Sequence, residues 1–244
     1  MATAPLPFLE GALLNRALAP RHLVLLLRNR SIPADLIRRI CQSPAWLKPY
    51  EVKVAIVLHS RTPWRVALSL IPHLRWADLA RVADRASFPP RLRRSAEVIL
   101  AIRVQEMALG ERIALARTAG RGLIGALRED DSPLVIRALL QNPHFREEDA
   151  LAIASRRTPP PAVLLAITED DHFALRPAVQ RAIAQNPETP ASAALRAVHR
   201  LSSRELLDLL HSPDLPGLVS VAARRLLEAR RRPPPGGELR GESA

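Results

Sequence analysis

Cysteine is nearly missing from this chain. Cys41 is the only one in 244 residues, which excludes an intrachain disulfide and a cysteine-based metal cluster. Phe, Trp and Tyr make up 3% of the residues. A core must therefore come from Leu, Ala, Val and Ile, and no segment is dominated by the aromatic and β-branched residues that favour sheets. The longest apolar run near the N-terminus, Leu23 to Leu27, is far short of the ~20 residues a membrane span needs, and the first residues do not read as a secretory signal. A reduced, cytoplasmic setting is expected. There is no glycine-rich phosphate loop and no G-x-S-x-G elbow.

Lysine is equally scarce. Lys48 and Lys53 are the only two among 36 basic residues, against 24 acids, for a net charge of +12. A GC-rich coding composition explains arginine over lysine but not bases over acids. The excess predicts a surface for acidic groups, because the guanidinium offers a planar, bidentate fork.

What the chain has in quantity is proline, 23 residues of it, in a recurring pattern. Pro33, Pro63, Pro89, Pro133, Pro159, Pro190 and Pro216 are spaced by 30, 26, 44, 26, 31 and 26 residues. Several follow an Asn or Ser, as in Asn29…Pro33 and Asn186…Pro190. Asn and Ser cap helices and proline is tolerated in a first turn, so each motif is expected to end one helix and begin the next. A step of 26 to 31 residues holds two short helices. At a constant offset of 127 residues, Thr62-Pro63 through Phe88-Pro89 overlays Thr189-Pro190 through Leu215-Pro216 without a gap. Ile71 falls on Val198, Leu74 on Leu201, Asp78 on Glu205 and Leu79 on Leu206. Such self-similarity predicts a stack of units, each too small to bury its own core.

The expected helices are 64–74 and 76–86, 134–141 and 146–155, and 191–201 and 203–211. The 44-residue step should hold a longer helix, 91–107, then 111–119 and 123–129, the last two separated by Gly120 and Gly122. This step reads as an inserted helix, since no linker composition marks it. Residues 1–30 read as an N-terminal cap, 1–229 as one repeat domain, and 230–244, rich in Arg, Pro and Gly, as a disordered tail.

From Thr158-Pro159-Pro160-Pro161-Ala162-Val163-Leu164-Leu165 the chain continues through Glu169-Asp170-Asp171 and Leu175-Arg176-Pro177-Ala178-Val179. It closes with Ala184-Gln185-Asn186-Pro187-Glu188-Thr189-Pro190. This stretch resembles the bacterial leucine-rich repeat variant, which belongs with the HEAT- and armadillo-like α-solenoids. Ser132-Pro133-Leu134-Val135-Ile136-Arg137 and Gln141-Asn142-Pro143 echo its closing half. The resemblance covers about residues 123–216 and implies an all-α solenoid of roughly ten to thirteen short paired helices in a right-handed superhelix, and protein binding rather than catalysis. Some members carry an N-terminal cysteine cluster for iron–sulfur; this chain lacks it, so no cofactor is implied.

No histidine has metal-ligand spacing, and His59, His144 and His211 lie at repeat turns, where hydrogen bonding is expected. The acidic groups Glu129-Asp130-Asp131, Glu147-Glu148-Asp149 and Glu169-Asp170-Asp171 recur at turns and helix starts, where the helix dipole favours carboxylates over a catalytic role. Trp46, Trp64 and Trp76 accompany Arg61, Arg65, Arg75 and Arg81, and Arg91 and Arg94 share a helix face with Arg103. Trp64, Trp76, Arg61, Arg65, Arg91 and Arg94 are the candidate contacts for a polyanion or partner. The expected function is a non-enzymatic scaffold for a protein partner, acidic in character, with the groove on the second helix of each pair. The alternative is a nucleic-acid-binding solenoid. It has a remote architectural resemblance to HEAT-like DNA-repair glycosylases, which use Trp and an acid on a basic concave face.

Overall fold

The computed structural model describes residues 11–231, with 14 and 16 excepted; the expectations for 1–10 and for the tail from 232 lie outside them. The described residues are all-helical and solenoid-like, with no strand among them. They fall into two compact units, residues 1–123 and 124–244. The boundary lies inside the irregular 44-residue step.

The first unit contains α1 (Pro20–Leu27), α2 (Ala34–Gln42), α3 (Pro44–Leu47), α4 (Tyr50–Leu58), α5 (Trp64–Leu70), α6 (Trp76–Asp84), α7 (Pro90–Arg103) and α8 (Leu109–Thr118). Single 3-10 turns, Ile71–His73 and Val104–Glu106, finish α5 and α7. Helix α9 (Arg121–Leu127) carries the boundary. The second unit continues with α10 (Pro133–Leu140), α11 (Glu147–Ala154), α12 (Pro161–Thr168), α13 (Pro177–Gln185), α14 (Ala191–Arg200), α15 (Ser203–Leu210) and α16 (Gly217–Arg231). The helices outnumber the expected ten to thirteen because Pro20, Pro44 and Pro49 start extra short ones ahead of the recognisable repeats. Gly122 lies inside α9 rather than between helices.

Alternate helices stack. In the second unit α10 packs on α12 and α14 on α16, while α11 packs on α13 and α13 on α15. Two layers therefore grow in parallel, as in a solenoid, where each repeat buries its apolar face only against its neighbours. The recurring prolines mark helix starts, and mostly they sit one residue earlier than a first-turn position. Pro33, Pro63, Pro89 and Pro190 are N-caps, their φ near the ring-fixed value and their ψ extended. The asparagines shape turns rather than N-capping the next helix. Asn29 and Asn186 accept, through Oδ1, from the backbone N–H two residues on.

The 127-residue offset holds in three dimensions. Helices α5 and α6 start at the positions equivalent to α14 and α15. Ile71 and Val198, Leu79 and Leu206, and Val82 and Leu209 are all fully buried. It also extends well beyond the Thr-Pro segments. His59 matches Asn186: its Nε2 reaches Asn29 O at 3.1 Å, and its Nδ1 accepts from Arg61 N–H. Asn186 Nδ2 donates to Arg156 O at 2.8 Å, and its Oδ1 accepts from Glu188 N–H. Arg103 donates to Leu74 O (2.7 Å) and Pro72 O (2.5 Å); Arg230, its equivalent, donates to Leu201 O (2.7 Å) and His199 O (3.2 Å). Arg230 and Arg231 thus belong to α16 and not to a tail, because capping the last carbonyls of α14 holds the helix end in place.

Arg61, Arg85, Arg156 and Arg200 also donate to backbone carbonyls 26 to 30 residues earlier. Part of the arginine excess therefore ties one repeat to the next. The acidic groups divide as well. Glu147, Glu148 and Asp149 occupy the first turn of α11 as expected. Glu129 and Glu169 instead follow the ends of α9 and α12, where the dipole does not favour them, and are held by Arg156 (3.6 Å) and Arg137 (2.7 Å).

Ser202 and Glu205 form a capping box at α15, Ser202 Oγ accepting from Glu205 N–H and Glu205 Oε2 from Ser202 N–H at 2.7 Å. Ser202→Ala should cost about 1 kcal/mol in urea unfolding. The Ser202 backbone N–H, then its side chain, hold the Glu205 carboxyl below its ordinary range. A carboxyl depressed in the folded state stabilises fully above its unfolded value and loses that contribution as pH falls through the folded one. Glu205→Gln should therefore flatten the acid limb of a stability–pH profile by lowering stability at neutral pH, with little change at pH values below the carboxylate range.

Candidate functional site: a basic groove in the first unit

Helices α1, α4 and α6 line a groove of about 650 Å³. Its floor is aliphatic: Val24 and Leu27 from α1 with Val54, Ala55 and Leu58 from α4. Helix α1 packs directly on α4, which brings these side chains together. Four arginines rim the floor. Arg28 and Arg30 follow α1; Arg81 lies on α6, and Arg85 just after it. Arg81 pairs with Asp78 at 3.1 Å, and Arg85 donates to Leu58 O with its guanidinium 4.9 Å from the Phe88 ring centre. Arg28 and Arg30 are exposed and make no side-chain hydrogen bond or ion pair among the described residues.

Tyr50 and Asp78 close one end. Tyr50 donates to Asp78 Oδ2 at 2.5 Å and accepts from Arg75 N–H at 2.9 Å, while the Arg75 guanidinium lies 4.5 Å from its ring centre. Burial, then the Asp78 hydrogen bond, raise the phenol above its ordinary range, so Tyr50 remains the donor. His59 lies at the groove edge, its two nitrogens already committed to backbone groups. Glu51, the other carboxylate on the lining, makes no side-chain hydrogen bond or ion pair among the described residues, whereas Asp78 is engaged twice.

Tyr50 and Asp78 also line a second groove, of about 510 Å³, with Arg75, Trp76, Arg103 and Met107. Here the polar groups satisfy each other. Trp76 Nε1 donates to Glu111 Oε1 at 2.7 Å, and Glu111 Oε2 accepts from Ala108 N–H.

The six sequence candidates do not form one site. Arg61 is spent on Ser31 O at 2.9 Å. Arg65 lies over the exposed Trp64 ring at 5.4 Å, apart from either groove. Trp76 is held by Glu111 in the second groove. Arg91 and Arg94 share an exposed face of α7, but Arg103 turns away to cap α5 and its 3-10 turn. Arg28, Arg30 and Arg85 were not picked out by sequence reasoning. Their signal was positional: Arg28 and Arg85 each directly follow the end of a helix, α1 and α6, and Arg30 lies two residues after Arg28.

Cys41 is half-buried, and burial pushes its thiol up to about 11, which makes it a poor nucleophile. No group of three or more His, Cys, Asp or Glu among the described residues is arranged to hold a metal ion. No described helix is long and apolar enough to cross a membrane. No family model, curated protein or solved structure matches the chain significantly.

Proposed function

We propose that the protein is a non-enzymatic repeat scaffold of the leucine-rich-repeat-variant type that binds an acidic segment of a partner protein in the cytoplasm. The observation that carries this reading is the pairing of an aliphatic floor with an arginine rim in one groove. Aliphatic anchors of the partner would lose water on the floor, and its carboxylates would meet Arg28, Arg30, Arg81 and Arg85. An apolar floor adds nothing to a phosphate backbone, which is why a protein segment is favoured over nucleic acid. The structure supports rigid display: the groove walls are fixed by the Tyr50–Asp78–Arg81 chain and by His59.

The test is a fluorescence-anisotropy titration with a labelled, proline-containing peptide of glutamates and two leucines, beside single- and double-stranded DNA of matched charge. Micromolar peptide binding at ~150 mM salt, with DNA binding lost there, is the expected result. DNA binding that survives that salt and exceeds the peptide's would replace this reading with the nucleic-acid one.

A further inference from the structure

Helices α7 and α16 are the two longest among the described residues, at 14 and 15 residues, and they are equivalent under the 127-residue offset. Each buries the same side. Leu92, Ala96 and Leu100 face the core in α7, and Val219, Ala223 and Leu227 do so in α16, at identical positions of the repeat. Each ends in the arginine clamp, Arg103 or Arg230. Each also leaves the opposite side open.

On α7 that side carries Arg91, Arg94 and Ser95, then Val98 (46% exposed) and Ile102 (71% exposed). On α16 the equivalent positions are Leu218 (50% exposed), Val221 (51% exposed), Ala222, Arg225 and Ala229. In α16, Leu195 and His199 of α14 add a wall, making a groove of about 410 Å³. Positions 91, 95, 98 and 102 are spaced by four, three and four residues, a single helix stripe, and the same holds for 218, 222, 225 and 229. Neither lining contains a carboxylate; Glu97 and Glu228 lie on the flanks, Glu97 at 3.5 Å from Arg94. None of these residues lines the α1–α4–α6 groove.

We propose that the chain carries two equivalent docking stripes, one on α7 and one on α16, each of which takes an amphipathic helix bearing leucines and carboxylates. Leucines on such a helix cover Val98 and Ile102, or Leu218 and Val221, by helix-against-helix packing. Its carboxylates meet Arg91 and Arg94, or Arg225. The basic and apolar turns come in opposite order on the two stripes, so the two sites differ in which end of the bound helix carries the acids. A second copy of the chain is a poor occupant, because it supplies no carboxylate from either stripe and brings together two molecules of net charge +12.

The experiment is methyl NMR on full-length protein labelled at Ile, Leu and Val, titrated with a 16-residue helical Leu/Glu peptide and its Leu/Lys counterpart. The Leu/Glu peptide should shift the methyls of Val98 and Ile102 and those of Leu218 and Val221, with the Leu/Lys peptide at least tenfold weaker. Val98→Asp with Ile102→Asp should weaken only the first site at least tenfold, and Leu218→Asp with Val221→Asp only the second. All four positions are exposed, so circular dichroism of these variants should match the parent. Response at one stripe alone, response only of Val24, Leu27 and Leu58 in the groove, or equal binding of the Leu/Lys peptide would overturn the proposal. Shifts that follow protein concentration without peptide would overturn it too, by making the occupant a second copy. Loss of stripe binding leaves the groove reading standing, since the groove methyls report separately.

Discussion

Replacing Asn186 by alanine is expected to lower the free energy of unfolding in urea by about 2–4 kcal/mol. Its amide donates to Ala154 O and Arg156 O, each at 2.8 Å, and accepts from Glu188 N–H at 3.0 Å. One side chain therefore joins the turn of one repeat to that of the next, and it is itself buried. Ala154 is also fully buried, so its carbonyl has no water to turn to. Removing the amide strands two acceptors and a donor, at a cost of about 1–3 kcal/mol for each one that stays dry. The equivalent position in the first unit gives the control. His59 makes the matching pair of bonds with a ring in place of an amide. His59→Asn should therefore change stability by less than about 1 kcal/mol, while His59→Ala should cost about 1–3 kcal/mol. If Asn186→Ala unfolds at the parent's urea midpoint, the inter-repeat bridge does not stabilise the stack.

Reversing the two free rim charges is expected to abolish binding of the acidic peptide. Arg28→Glu with Arg30→Glu changes the rim by four charge units and sets two carboxylates against those of the ligand. The expected loss in affinity is about 100-fold at ~150 mM salt, with Arg28→Gln and Arg30→Gln losing about tenfold. Both side chains are exposed and without ion pairs among the described residues, so the urea midpoint should stay where it was. Arg81 and Arg85 are poorer targets. Arg81 holds Asp78 and Arg85 caps Leu58 O, so their replacement disturbs the groove wall as well as its charge. Unchanged affinity in the double reversal would remove the groove from the account.

Much of the fold was legible because proline fixes φ and ends helices whatever the tertiary context. The Thr-Pro steps put the starts of α5, α6, α14 and α15 within a residue of their places. The buried positions Leu79, Leu206, Val82 and Leu209 followed from the overlay of the two segments. The first sixty residues were harder to read, because Pro44 and Pro49 open short helices with no counterpart in the overlay. The site was less legible for a different reason. Arginines look alike in sequence, and only the carbonyls facing them separate those that tie repeats together from those that rim the groove. Arg61 and Arg103 went to the first role, Arg28 and Arg30 to the second. Trp76 sits at a helix start, a position that does not announce its bond to Glu111, 35 residues on. The Asn and Ser residues before the prolines read as caps by propensity, yet Asn29 and Asn186 shape turns because proline already occupies the N-cap.

Hydrogen–deuterium exchange with and without the proline-containing acidic peptide tests the central claim most directly. Slowed exchange confined to 24–30, 50–60 and 78–87 is the predicted result, with the second unit unchanged. Exchange that stays the same in those three segments while the peptide is bound would contradict the assignment of the groove as the partner site.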